Sequence, residues 1–307
     1  MSTTPVPTDE AQRRAPDRPA AASGRQGTVE RRSTLQKVGK TAMLGVILFW
    51  CLFPFFWLIM TSLKLGDRAL NSPDLFQGPF GLDNYLAVFQ LNFHLNLRNS
   101  AVVAGTTTIL CVIIGSLAAY ALARLPLRRK ILLLSGVLAV SLFPPVALVP
   151  PLYEVWRALG LLNTYEGLYI PYIAFTLPLT IFILVTFFAS IPKDLEEAAR
   201  VDGASAFQAF YKVVLPLAAP GVFAAAIIIF VLSWNEFLLA STFAPRNPEI
   251  AQTVPVAIAG FTGAVPFQRP IGTITAACVV VTIPMIITAL IFQKRIVAGL
   301  TAGGVKG

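Results

Sequence analysis

Residues able to do chemistry are few in this chain, and they are far apart. His94 is the one histidine in 307 residues, and Cys51, Cys111 and Cys278 each sit inside an apolar run with no paired spacing. A hydrolytic site needs a nucleophile, a base and an orienting group that converge, and a metal site or disulfide framework needs spaced ligands or pairs. Neither pattern is present, so no catalytic and no metal residue is assigned. The cysteines read as small apolar side chains and His94 as a surface residue. There is no Gly-rich lysine loop to cradle phosphate, so any ATP is bound elsewhere. Trp50, Trp57, Trp156 and Trp234 could stack on sugar rings, but they fit better as span-end anchors or packing. Asn235 and Glu236 close an apolar run and are the pore-lining candidates. A carboxylate within a membrane is a functional candidate by default, and one at a span end can equally be interfacial.

The segment with most mechanical content is Ile191–Pro216. Pro192 suits the first turn of a helix. Leu195, Ala198 and Ala199 share one face, and Glu196 and Arg200 stand four apart, close enough to pair. Gly203 falls where a helix ends in a left-handed residue. Ser205 and Gln208 have capping-box spacing, which predicts a second short helix running towards Pro216. Two adjacent alanines make a shallow patch that another surface can approach, and Glu197 beside them can meet a basic partner. This is the composition of a docking element.

What must position that element is a membrane bundle. Hydrophobic residues make up 56% of the chain and charged residues 13%, whereas soluble domains carry about 25% charged residues. Six uncharged runs follow a polar tail at 1–40: Thr41–Leu63, Asn99–Ala123, Ile131–Tyr153, Gly167–Pro192, Val213–Asn235 and Ile271–Gln293. Each reaches the roughly 20 residues a helix needs to cross hydrocarbon, and an open sheet could not satisfy its backbone there. The tail is too polar to order itself and does not read as a signal peptide. With the N-terminus inside, segments 1–40, 124–130, 193–212 and 294–307 hold 18 of the 24 Lys and Arg. The positive-inside tendency therefore predicts cytoplasmic termini, a cytoplasmic loop at 193–212 and a cytoplasmic tail at 297–307. Basic residues spread along a membrane face also argue against nucleic acid as a partner.

Pro54, Pro144, Pro145, Pro178, Pro216, Pro220 and Pro284 fall in or at the ends of spans. They read equally as kinks around a cavity or as ordinary membrane-helix prolines. Ala101/Gly105 and Gly115/Ala119, each four apart, predict close helix packing.

The loop pattern is Glu197-Ala198-Ala199, three residues, Gly203, nine residues, Val213, one residue, Leu215-Pro216. It resembles the Glu-Ala-Ala coupling-loop motif of ABC importer permeases, with Val213 where isoleucine is usual. Leu159–Thr164, Ser233–Phe237 and the tail Gly299–Gly307 are similar to the maltose-type carbohydrate branch. The resemblance runs from about Leu35 to Gly307 and leaves 1–34 outside. It implies an all-α polytopic membrane protein with the type I ABC importer permease fold, located in the cell membrane. It implies a second permease subunit, two copies of a nucleotide-binding ATPase and an extracytoplasmic solute-binding protein that delivers a sugar. ATP and Mg would sit on the ATPase subunits, and this chain would bind no cofactor. Glu197, Ala198, Ala199, Asp202, Gly203, Leu215 and Pro216 would couple to the ATPase, and the tail near Gln293–Lys306 would touch it. The partner permease would make most of the sugar contacts. Rival readings are a permease for a non-sugar solute, an ion-coupled transporter and a membrane enzyme. The last two lack ionisable groups within the spans and a convergent site, respectively.

Overall fold

The computed structural model describes residues 23–65, 76, 78–245, 247–261 and 270–304, with side chains described from Lys37 to Phe292 within those ranges. Residues 1–22 of the expected tail and 305–307 of the C-terminal segment lie outside the described residues. The described part is helical, with no strand and one isolated bridge, Lys64 to Phe80.

The helices are α1 Ser23–Leu63, α2 Asp83–Gln90, α3 Phe93–Arg124, α4 Lys130–Ser141, α5 Pro145–Leu159, α6 Tyr165–Ser190 and α7 Lys193–Val201. After them come α8 Ala206–Ala209, a π-helical turn Phe210–Val214, α9 Leu215–Leu217, α10 Ala219–Trp234, α11 Leu238–Phe243, α12 Val254–Ala259 and α13 Ile271–Gly304. The first helix starts at Ser23, so 23–40, read from the sequence as unstructured, continue it outwards. No proline interrupts the chain between Pro19 and Pro54, so nothing there stops helix propagation. Likewise α13 runs unbroken to Gly304, beyond the expected span end.

Four helices are long and apolar enough to cross a membrane: Lys37–Leu63, Phe93–Arg124, Tyr165–Ser190 and Ile271–Phe292. The count reaches six if each of two bent pairs is one span. Lys130–Ser141 meets Pro145–Leu159 at 79°, and Ala206–Leu217 meets Ala219–Trp234 at 76°. Both bends have a chemical cause. Pro144 and Pro145 follow the first break, and Pro216 and Pro220 flank the second, each removing a backbone donor. Pro54, Pro178 and Pro284 instead sit inside continuous helices. The proline expectation thus divides: Pro144, Pro145, Pro216 and Pro220 lie at sharp bends, whereas Pro54, Pro178 and Pro284 do not.

Two compact units, residues up to Phe56 and residues from Trp57 onwards, are distinguished. In the first, Phe49 and Phe53 pack ring to ring at 5.5 Å along the helix. In the second, α3 and α6 form the centre. Gly115 and Ala119 are both buried there, and a Cβ on Gly115 would meet the Thr180 methyl at 2.7 Å, so only glycine allows this approach. Ala101 is exposed and Gly105 has open space beside it, so that pair makes no comparable contact. At the Arg124 end of this pair, Ala119, Leu122, Leu184, Phe188, Phe210 and Val214 form one apolar cluster. At the other end, Val103, Trp156, Leu168, Tyr172, Leu239 and Phe243 form another.

Candidate functional site

The segment after α6 folds as its local chemistry directs. Pro192 precedes the nine residues of α7. Its end is a Schellman motif: Gly203 N–H donates to the Arg200 carbonyl at 3.1 Å and Ala204 N–H to the Ala199 carbonyl at 2.9 Å. That pairing needs a left-handed residue, and Gly203 supplies it with φ +91°. Ser205 then opens α8 with a complete capping box. Its hydroxyl accepts from Gln208 N–H at 3.2 Å, and the Gln208 side-chain oxygen Oε1 accepts from Ser205 N–H at 2.9 Å. The helix widens into the π turn Phe210–Val214 and reaches Leu215 and Pro216 just before the bend.

The burial of α7 is inverted relative to an ordinary amphipathic helix. Leu195, Glu197 and Ala198 are exposed, Ala199 is half-buried, Asp202 and Gly203 are exposed, and Val201 is 86% exposed. The one buried side chain is Glu196, at 9%. Its carboxylate accepts from the Tyr120 hydroxyl at 2.5 Å and lies 3.3 Å from Arg124 Nε. The Arg124 contact is a charge pair rather than an aligned hydrogen bond, because Nε has no hydrogen-bond partner. A second guanidinium nitrogen of Arg124 donates to the Ile191 carbonyl at 2.9 Å. The i,i+4 pairing of Glu196 with Arg200 therefore does not form; Glu196 turns inwards to α3. Sequence spacing showed only the partner within the helix, whereas Tyr120 and Arg124 lie more than 70 positions away. The one available signal was an arginine ending an apolar run.

The other candidates lie at the far end of α10. Asn235 is exposed, and its side-chain amide donates to the Val231 carbonyl of its own helix at 2.8 Å. Glu236 is half-buried and fully engaged. Its carboxylate accepts from the Tyr172 hydroxyl at 2.6 Å, from Leu239 N–H at 2.8 Å and from Ala240 N–H at 3.1 Å. It thus caps α11 and ties it to α6. Trp156 is buried and donates to the Gly167 carbonyl at 2.7 Å, and Trp234 is buried, while Trp50 and Trp57 are exposed. His94 is exposed, and among the described residues no three His, Cys, Asp or Glu gather.

The sequence reading also missed a clamp that holds 247–254 against the start of α3. The Asn99 amide donates to the carbonyls of Pro248 at 2.7 Å and Gln252 at 3.0 Å, and its oxygen accepts from the Tyr165 hydroxyl at 2.8 Å. Asn96 donates to Gln252, Arg98 to the Glu249 carbonyl, and Val254 N–H to the Ser100 hydroxyl. Every side chain in it comes from 96–100, 165 or 252, so the polar residues at the start of α3 were its only trace in the sequence.

Residues 111–301 match the family described as binding-protein-dependent transport system inner membrane component. The chain is 45% identical over 278 residues to the trehalose transport system permease protein SugB of Mycobacterium tuberculosis, covering 90% of this chain and 99% of that one. It is 44% identical over 270 residues to the trehalose/maltose transport system permease protein MalG of Thermococcus litoralis, covering 86% and 96%. In fold it is similar to a chain in a crystal structure of a bacterial ABC transporter involved in import of the acidic polysaccharide alginate. There the TM-score is 0.69 at 22% identity, over 86% of this chain and 97% of that chain.

Proposed function

We infer that this chain, which belongs to the binding-protein-dependent transport system inner membrane component family, is one transmembrane subunit of an ATP-binding-cassette sugar importer. It is a multi-pass membrane transport protein and not an enzyme. Each bent helix pair serves as one span, which gives six: about 41–63, 99–123, 131–153, 167–192, 213–235 and 271–293. Both termini are cytoplasmic, and so are the loop 193–212 and the segment 297–307. The concentration of 18 of 24 Lys and Arg on that side supports this orientation.

The observation that carries the mechanism is the outward apolar face of α7, closed by a left-handed glycine. Apolar surface left open on a polar loop marks a protein contact. Glu197, Ala198, Ala199, Asp202 and Gly203 form the face that docks into an ATPase subunit, and Leu215 and Pro216 mark where the chain turns back into the bundle. Two ATPase copies bind the ATP and Mg²⁺. A second permease subunit completes the pathway, and an extracytoplasmic solute-binding protein delivers the substrate. The sugar class rests on relatives named for trehalose, maltose and sulfoquinovosyl glycerol transport. Asn235 stays open to the pathway, while Glu236 supports the wall behind it.

Co-purification tests this reading. The tagged chain brings down an ATPase subunit, and Gly203→Pro loses it while still inserting into the membrane. Proline is locked near φ −65° and cannot occupy the +91° of this turn. Undiminished recovery of the ATPase with that variant, together with normal trehalose uptake, overturns the proposal.

A further inference from the structure

We propose that Glu196, gripped by Tyr120 and Arg124, is the positioning residue through which displacement of α7 passes into the transmembrane helix α3. This rests on α7 being the handle that the ATPase moves. Glu196 is the only buried side chain of α7. Its contacts with Tyr120 and Arg124 are the only side-chain hydrogen bond and ion pair that join 193–201 to a transmembrane helix among the described residues. The other side chains of α7 are exposed, apart from half-buried Ala199, so they are open to a partner and supply no polar grip on α3.

A carboxylate suits this task. It accepts a directional hydrogen bond from the Tyr120 hydroxyl and forms a charge pair with Arg124, so two attachments act on one group. Pulling it away strands a guanidinium whose side chain is 5% exposed, so the joint resists slipping in a way that an alanine contact does not. The receiving side is stiff as well. The Tyr120 ring packs on Phe210 at 4.8 Å, and Phe210 meets Phe188 of α6 edge-on at 6.1 Å. Arg124 also holds the Ile191 carbonyl at the entry to α7. One tyrosine and one arginine therefore tie α3 to the handle, and the tyrosine ring links α3 to the π turn that follows and to α6. Lys193, Glu197 and Arg200 line the small cavity beside the pair, and among the described residues none of them makes an ion pair that could replace it.

The test uses the assembled transporter with Cys51, Cys111 and Cys278 replaced by serine. Nitroxides are attached at Asp194→Cys on α7 and Ile113→Cys on α3, both exposed positions. Electron–electron distances are measured with and without trapping by ATP and vanadate. With Glu196 and Tyr120 intact, the distance stays constant on trapping, because handle and helix move as one body. In Glu196→Gln and Tyr120→Phe, the ATPase co-purifies in wild-type amount and hydrolyses ATP, but the distance shifts and broadens on trapping. The combined variant adds little to either alone, since both cut one joint. The proposal is overturned if the intact protein already shows the shift, if the variants do not, or if they lose the ATPase, which would make Glu196 a docking residue. Wild-type ATPase recovery in Gly203→Pro sinks the handle reading itself, and this inference with it.

Discussion

Glu236→Ala separates support from solute contact at the Trp234 end of α10. The side chain accepts three hydrogen bonds, at 2.6 Å from Tyr172 and 2.8 and 3.1 Å from the first amides of α11. Tyr172 is 2% exposed and sits in an apolar cluster with Val103, Trp156 and Leu168, so its hydroxyl has no ready substitute. Leaving a buried hydroxyl unpaired costs about 1–3 kcal/mol. Losing the cap of a short helix adds about 1 kcal/mol. The two together predict a destabilisation of about 2–4 kcal/mol, with the upper value reached only if no water enters. Glu236→Gln keeps an acceptor and loses less. Tyr172→Phe combined with Glu236→Ala costs less than the sum of the two, because donor and acceptor leave together. Thermal unfolding of the purified chain in detergent reads the effect, with sugar uptake measured in parallel. An alanine variant that unfolds like the wild type and yet has lost uptake refutes the reasoning, and would place the carboxylate on the transported solute.

Three other positions give sharp outcomes. Gly203 has open space around it, so the cost of a side chain there is backbone strain alone, about 1–2 kcal/mol for Gly203→Ala; this weakens ATPase co-purification without affecting membrane insertion, whereas Gly203→Pro abolishes it. A Cβ on Gly221 would overlap the Phe187 ring, so Gly221→Ala destabilises by about 1–3 kcal/mol in a melt, and Phe187→Leu in the same chain restores part of the loss. Asn99 is fully buried and holds two carbonyls and one hydroxyl, so Asn99→Ala frees the 247–254 loop and accelerates its cleavage by added protease, while Asn235→Ala leaves cleavage unchanged.

The readable parts of this protein are those governed by near neighbours along the chain. Hydropathy over a run of residues is a local quantity, and the four long apolar helices overlap the runs marked for them, three of them starting before the run at Lys37, Phe93 and Tyr165, and both bent pairs overlap theirs in part. Cap chemistry is also local. Ser205 and Gln208 satisfy one another across three positions, and Gly203 ends α7 because the residues before it leave carbonyls that only a left-handed turn can reach. The bends were half legible: prolines mark weak points, but whether one becomes a 79° corner or an uninterrupted helix depends on what packs beside it.

The partners of the charged residues were decided by tertiary structure. Glu196 had a neighbour at helical spacing and took instead a tyrosine 76 positions away, because the face it occupies turns towards α3. Glu236 looked free at the end of an apolar run and is spent on Tyr172 and on the amides of α11. The 247–254 clamp joins residues about 150 positions apart. A linear chain specifies which side chains need a hydrogen bond when buried; which one they find depends on how the helices cross, and that is a property of the packed bundle.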